Sequence, residues 1–300
     1  MERIVRPQAA DYAAVSGMIG ALCARYRFLA AAPIGRSVLG RSLWGITVGG
    51  GRRRVLMAAA FHAQEWMTSL VCLRLCEEIA QALHSGRELD GWNMHRALSG
   101  RGIVLVPLVN PDGVQIALHG ADSVGEYAAA VRAVGGDEHG RWQANVRGVD
   151  LNHNFNAGWE ELQEQERKKG ILGPCARQYG GPSPESEPET RAIADLCRRG
   201  EFCHVIALHS QGEEIYWQYG EHTPPCAKLM ASVMASVSGY AVAQPRGLAA
   251  HGGFKDWFIE STGRPGFTVE LGKGENPLPL ADFEAVYRKA REMLLAALLM

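Results

Sequence analysis

Along the chain, apolar runs of strand length alternate with longer stretches of helical period. The pattern predicts strands at 43–48, 54–61, 103–109, 202–208, 214–218 and 266–271, and helices at 9–28, 64–83, 187–199, 225–237, 253–261 and 281–299. The run Val104-Leu105-Val106-Pro107-Leu108-Val109 is apolar throughout, as suits a strand buried on both faces. Such alternation predicts an α/β fold, one twisted sheet with helices on both sides. Ser186-Glu187-Pro188-Glu189 reads as a capping box with proline in the first turn of the helix it opens. The preceding Tyr179-Gly180-Gly181-Pro182-Ser183-Pro184 reads as loop. There is no internal repeat and no long linker, so a single domain over 1–300 is expected.

Polar residues recur where the predicted buried strands end. His62 follows 54–61, Asn110 follows 103–109, His209 follows Val205-Ile206-Ala207-Leu208, and Glu270 follows Phe267-Thr268-Val269. In open α/β sheets ligands bind outside the carboxyl ends of the strands, so four segments bring ligand or acid–base chemistry to one edge. Within Phe61-His62-Ala63-Gln64-Glu65-Trp66 an imidazole and a carboxylate stand three residues apart, close enough to share a metal ion. With His209 they make a two-histidine, one-carboxylate set that suits Zn²⁺ and leaves a fourth position for water. Glu270 is then a separate carboxylate for proton transfer, and burial at a strand end is expected to raise its pKa.

Composition narrows the function classes. Lys and Arg number 31 against 32 Asp and Glu, so no nucleic-acid footprint shows in the totals. Arg52-Arg53-Arg54, after Gly49-Gly50-Gly51, reads as a solvated hairpin turn in preference to a binding patch. No apolar stretch reaches the 18 residues of a membrane span, and Met1–Pro7 lacks the apolar segment of a signal peptide. The seven cysteines are odd in number and scattered. Cys72 and Cys76 stand at metal-binding spacing on a predicted helix, but read better as small buried side chains of a reduced protein. A cytoplasmic location is expected.

The ordered motifs resemble the zinc carboxypeptidase (M14) superfamily. They are Ile34-Gly35-Arg36-Ser37-Val38-Leu39-Gly40-Arg41, His62-Ala63-Gln64-Glu65, Asn110-Pro111-Asp112-Gly113, Gly148-Val149-Asp150-Leu151-Asn152-His153-Asn154-Phe155, Leu208-His209-Ser210 and Thr268-Val269-Glu270-Leu271. The resemblance implies one zinc ion on His62, Glu65 and His209, Glu270 as general base and then acid, a mixed eight-stranded α/β fold, and a catalytic core over roughly 20–280. Three further stretches, 181–190, 209–217 and 272–279, are most similar to the bacterial γ-D-glutamyl-meso-diaminopimelate peptidases. A peptide or muropeptide substrate is therefore expected. The alternatives are a carboxypeptidase for ordinary peptides and a non-catalytic binding protein of the same fold.

Departures from the superfamily pattern fall on the substrate side. The Asn-Arg pair that holds a substrate carboxylate appears as Asn152-His153, and an imidazole has no bidentate fork. The arginine that polarises the scissile carbonyl is expected near Trp142, flanked here by Arg141 and Gln143, with Arg147 a third candidate. The substrate-covering tyrosine is expected near Leu248, where the closest polar substitute is His251. Asn152, His153 and Arg147 are accordingly the expected substrate-binding residues.

Overall fold

Eight strands form one mixed sheet: β1 (Ala30–Arg36), β2 (Ser42–Val48), β3 (Arg53–Ala59), β4 (Arg101–Val106), β5 (Phe202–His209), β6 (Glu214–Tyr216), β7 (Ala241–Ala243) and β8 (Gly266–Glu270). The computed structural model describes residues 2–135 and 139–300 of the chain, and among these the spatial order is β1-β2-β4-β3-β5-β8-β6-β7. β4, β3, β5 and β8 run parallel, while β2 and β6 flank them antiparallel. The described helices are α1 (Tyr12–Arg25), α2 (Met67–Ser85), α3 (Met94–Ala97), α4 (Pro111–His119), α5 (Ala128–Gly135), α6 (Trp159–Lys168), α7 (Pro188–Arg199), α8 (Cys226–Ser238), α9 (Phe254–Thr262) and α10 (Phe283–Leu299).

Strand alternation divides the interior into two cores. Val55, Met57 and Ala59 of β3, with Ile206 and Leu208 of β5, meet the side of the sheet covered by α1, α2, α8 and α10. Leu56 and Ala58, with Val205 and Ala207, point to the opposite side, against Ile193 of α7 and Phe254, Trp257 and Phe258 of α9. Both faces of the central strands are thus buried, which is why their sequences are apolar without interruption.

All six strands and six helices expected from the pattern form. The two missed strands, β1 and β7, lie at the sheet edges. β1 carries Pro33 and is half exposed, and β7 has three residues, so neither shows a periodic apolar signal. α4 went unseen because Asn110-Pro111-Asp112-Gly113 reads as a turn. In fact Asn110 Oδ1 accepts the Gly113 N–H (2.9 Å) as a helix cap, and Pro111 occupies the first turn. Gly113 is required there, since a β-carbon would stand 2.3 Å from the Ala144 carbonyl oxygen.

Two local expectations change. Arg52 and Arg53 are solvated, but the connection is no hairpin turn, because β4 lies between β2 and β3. α7 begins one residue later than the capping-box reading: Glu187 is its N-cap and Ser186 Oγ donates to Glu187 Oε1 (2.9 Å). Glu189 turns inward instead and accepts the Val38 N–H (3.1 Å). All seven cysteines are unpaired, and Cys72 and Cys76 are buried on α2. No described helix is long and apolar enough to cross a membrane.

Candidate active site

Parallel strands β3, β5 and β8 end at the same edge of the sheet, and that edge gathers the chemistry. His209 closes β5 directly beside Glu270, which closes β8. Past β3 the chain turns at Ala60, whose φ of 54° is left-handed. Thr68 Oγ1 holds this turn, accepting the Ala60 N–H (2.9 Å) and donating to the Glu65 carbonyl (2.8 Å). The next residues form a short 3₁₀ turn, Ala63–Glu65, capped by His62, which swings Glu65 back towards the strand ends.

The result is a tight cluster. His62 Nδ1 lies 2.9 Å from Glu65 Oε1, His209 Nδ1 lies 3.0 Å from Glu65 Oε2, and the two Nδ1 atoms are 3.2 Å apart. Bonds of about 2.0–2.1 Å in a tetrahedron put ligand atoms about 3.3 Å from one another, so these separations fit one zinc ion. Nε2 of His62 faces Asp150 Oδ1 at 3.1 Å. An N–H donated there leaves the Nδ1 lone pair for a metal, the usual carboxylate–histidine arrangement. Phe61 stacks on His209 with ring centres 5.4 Å apart and fixes its plane. Ser210 N–H donates to Glu65 Oε2 (3.2 Å), and Asn276 Nδ2 reaches Glu65 Oε1 (3.4 Å) while bonding the Ser210 carbonyl (2.6 Å).

The field at this centre favours a cation. Burial opposes charge on His62, yet the Glu65 and Asp150 carboxylates outweigh it and lift the pKa of His62 well above its ordinary value. Glu65 is also buried, but His62 and His209 bring it down to about 2. Asp150 is lowered likewise by His62 and His153 against its own burial. Glu270 moves the other way. Burial, and then the charge of Glu65, raise it well above the ordinary carboxylate range, as expected from its place at a buried strand end.

A cavity of about 370 Å³ opens over this cluster, and its walls include His62, Glu65, Glu270, Gln143, Arg177 and Tyr216. Its mouth carries Arg141, paired with Glu275 at 2.8 Å. Several expected residues lie elsewhere. Asn110, the fourth polar strand end, is wholly buried and bonds the carbonyls of Phe61 (3.0 Å) and Ala144 (3.1 Å). Its role is architectural.

None of the three expected substrate-binding residues lines the cavity. Asn152 Oδ1 accepts the Phe254 N–H (3.0 Å) at the start of α9. His153 is buried with Nδ1 on the Gln178 carbonyl (3.1 Å). Arg147 lies over Glu187 at 3.6 Å on the surface. The short turn Leu151–His153 spends its side chains on neighbouring segments, and the cavity is walled by other parts of the chain. Leu248 is buried and His251 is likewise absent from the cavity, which Tyr216 of β6 lines with its hydroxyl donated to Glu214 Oε2 (2.6 Å). Sequence reasoning missed Arg177, Tyr216 and Asn276. Arg177 sits in a loop that nothing marked, whereas Tyr216 and Asn276 fall within the stretches 209–217 and 272–279 noted above, whose likeness marked the segment and not these side chains.

The chain as a whole has relatives among known proteins. The sequence profile described as zinc carboxypeptidase matches residues 18–293. Gamma-D-glutamyl-L-diamino acid endopeptidase 1 of Lysinibacillus sphaericus is 38% identical over 292 residues, covering 96% of this chain and 72% of that protein. The crystal structure of thrombin-activatable fibrinolysis inhibitor superposes with a TM-score of 0.76 at 20% identity, over 99% of this chain and 76% of the other. The murein-tripeptide amidase of Escherichia coli O157 superposes with a TM-score of 0.54 at 20% identity, over 88% and 91%. The two structures share the fold. The profile covers nearly the whole chain, and the centre it spans has the donor set of a zinc site, so this protein belongs to the zinc carboxypeptidase (M14) family and is a zinc metallopeptidase.

Proposed function

We propose that this metallopeptidase hydrolyses the γ-D-glutamyl–meso-diaminopimelate bond of cell-wall peptides. The observation that carries the reading is the 38% identity, across 96% of the chain, to a protein named as a γ-D-glutamyl-L-diamino acid endopeptidase. The cavity supports it, because Arg141, Arg177 and Glu275 on its walls suit a substrate rich in carboxylates and amines better than an apolar terminal residue.

In this reading His62, Glu65 and His209 hold the ion. Zinc, when bound, lowers the pKa of water towards neutrality and polarises a carbonyl as a Lewis acid. Asp150 holds His62 in the tautomer that presents Nδ1. Glu270 accepts a proton from the attacking water and returns it to the leaving nitrogen, a double duty that its raised pKa suits. A non-catalytic role is disfavoured, since a decayed enzyme has no reason to keep all four groups converged at one sheet edge. Seven unpaired cysteines suit action in a reducing compartment such as the cytoplasm.

The test is digestion of diaminopimelate-containing muropeptides followed by mass spectrometry. Fragments cut between the γ-glutamyl carbonyl and diaminopimelate are expected. Release of C-terminal phenylalanine or lysine from ordinary peptides, with muropeptides untouched, would replace this reading by the carboxypeptidase alternative.

A further inference from the structure

We infer that Arg177 is the residue with which this chain grips a carboxylate of its substrate. The superfamily pattern leads one to expect such a grip from the turn 151–153, but that turn offers His153, buried and committed to the Gln178 carbonyl at 3.1 Å. Arg177 stands one residue before that carbonyl and lines the cavity together with His62 and Glu270.

The surroundings give the guanidinium a direction. Its Nε donates to Gln143 Oε1 at 3.2 Å, and Gln143 Nε2 donates in turn to Asp150 Oδ2 at 2.6 Å. Both ends of the Gln143 amide are therefore engaged, and Gln143 serves to orient Arg177. With Nε occupied, the two terminal nitrogens of Arg177 have no partner among the described residues and form a fork, the geometry that matches a carboxylate bidentately.

The backbone that carries Arg177 is pinned on both sides. The Ala176 carbonyl accepts N–H bonds from Gln143 and Ala144, each at 3.0 Å. Gln178 N–H donates to Asp150 Oδ2 at 3.3 Å, and Gln178 has a left-handed φ of 69°. A non-glycine residue holds that conformation only where its surroundings dictate it. Asp150 thereby ties the wall carrying Arg177 to the same His62 that faces the metal position. The exposed loop residue is thus aimed from a rigid base, three hydrogen bonds from the reacting centre.

This inference rests on the peptidase reading and names the chemistry recognised. A γ-D-glutamyl amide carries a free α-carboxylate on its acyl side, and diaminopimelate carries carboxylate on the side of the leaving amine. Either presents the anion that the fork takes.

The experiment uses the zinc-loaded protein and its Arg177→Ala and Arg177→Lys variants, with zinc content measured on each. Three matched substrates are compared: the γ-D-glutamyl–diaminopimelate peptide as free acid, the same peptide with the glutamyl α-carboxylate amidated, and the same with the carboxylate beside the leaving amine amidated. For the wild type, one amidation should lower kcat/KM by roughly 10- to 100-fold, the scale of hydrogen bonds to charged groups. Arg177→Ala should lose a similar factor on the acid and be indifferent to that amidation, with zinc unchanged. Lysine keeps the charge without the fork and should recover part of the loss. The amidation that Arg177→Ala ignores identifies the carboxylate.

An equal loss on all three substrates, or no loss on the acid, would overturn the inference. Should the wild type cleave only ordinary peptides, the γ-D-glutamyl reading fails by itself. The same cycle, run with free and amidated C-termini, then decides Arg177 separately. Calorimetric titration of the same compounds into Glu270→Gln protein, with and without Arg177→Ala, reads the difference without turnover. Equal affinity there for acid and amide would also overturn it.

Discussion

Among the described residues, two of the buried polar clusters differ in one respect: one opens to a cavity and the other does not. The first joins His62, Glu65, Asp150 and His209 and opens into the cavity. The second joins Asp112, Glu187, Glu189 and Asn145 beneath β1 and α7 and is sealed. In the sealed cluster Asp112 accepts from Ser37 Oγ (2.9 Å), Leu39 N–H (2.9 Å) and Arg41 (2.6 Å). Asn145 Nδ2 donates to Glu187 (2.7 Å). Buried carboxylates with a displaced pKa occur in both, for burial pushes Glu189 up to about 8. A perturbed pKa thus marks desolvation, and function is marked by convergent metal-ligand types facing a void. Motif residues divide accordingly. His62, Glu65, His209 and Glu270 carry the chemistry proposed here, whereas Ser37, Arg41 and Asp112 fasten β1 to α4.

The widest separation between the clusters should come from the metal. Chelation, His62→Ala or His209→Ala should abolish activity, and both variants should lose the approximately one zinc per chain that a three-ligand site holds. Metal analysis beside turnover checks this, and full activity in metal-free protein would dissolve the distinction. Next comes Glu270→Gln. Zinc should stay while the rate falls by roughly 10²–10⁴-fold, the scale of general acid–base catalysis. Wild-type turnover in this variant would move the base elsewhere.

In the sealed cluster the loss should appear in stability instead. Asp112→Ala strands Arg41 and two other donors and should cost about 3–5 kcal/mol, as removal of one partner from a buried ion pair does. Denaturant melts at fixed zinc concentration measure it, with kcat of the folded protein unchanged. A fall in kcat at unchanged stability would assign Asp112 to the active centre.

The sealed cluster also predicts a pH dependence of stability. Glu189 has its pKa raised from 4.5 to about 8 in the folded chain. Below the lower value both states hold the proton and nothing is contributed. Between the two, the unfolded chain releases it and the folded chain does not. Stability therefore falls as pH rises, by up to about 1.4 kcal/mol per unit, and the penalty is constant above the folded pKa. Glu189→Gln keeps the oxygen facing Val38 and removes the slope. Its melting temperature should gain on wild type between pH 5 and 8, and a pH-independent difference would refute the assignment.

How much was legible follows from where the information lies. The core strands, the longer helices and the four chemical residues were readable, because each is set by local periodicity or by a residue type at the end of an apolar run. Asn110 shows the limit of that rule. It too follows a buried strand, yet its side chain turns to cap α4, which depends on an Asn-Pro-Asp-Gly helix start that reads as a turn. Arg147 and His153 stand outside the cavity for a related reason: side-chain direction is decided by partners distant in the chain, Glu187 for one and Gln178 for the other.

The sequence by itself determined the α/β alternation, the buried parallel centre of the sheet and the donor set His62, Glu65 and His209 with Glu270 beside it. These follow from apolar periodicity and from the few residue types that can hold zinc or move a proton. Tertiary structure alone decided the edge strands, the start of α7, the sealed acidic cluster and the cavity wall of Gln143, Arg177 and Tyr216. Those depend on hydrogen bonds between segments tens of residues apart, such as Arg177 to Gln143 and both through to Asp150, and no local pattern encodes which loop will close against which.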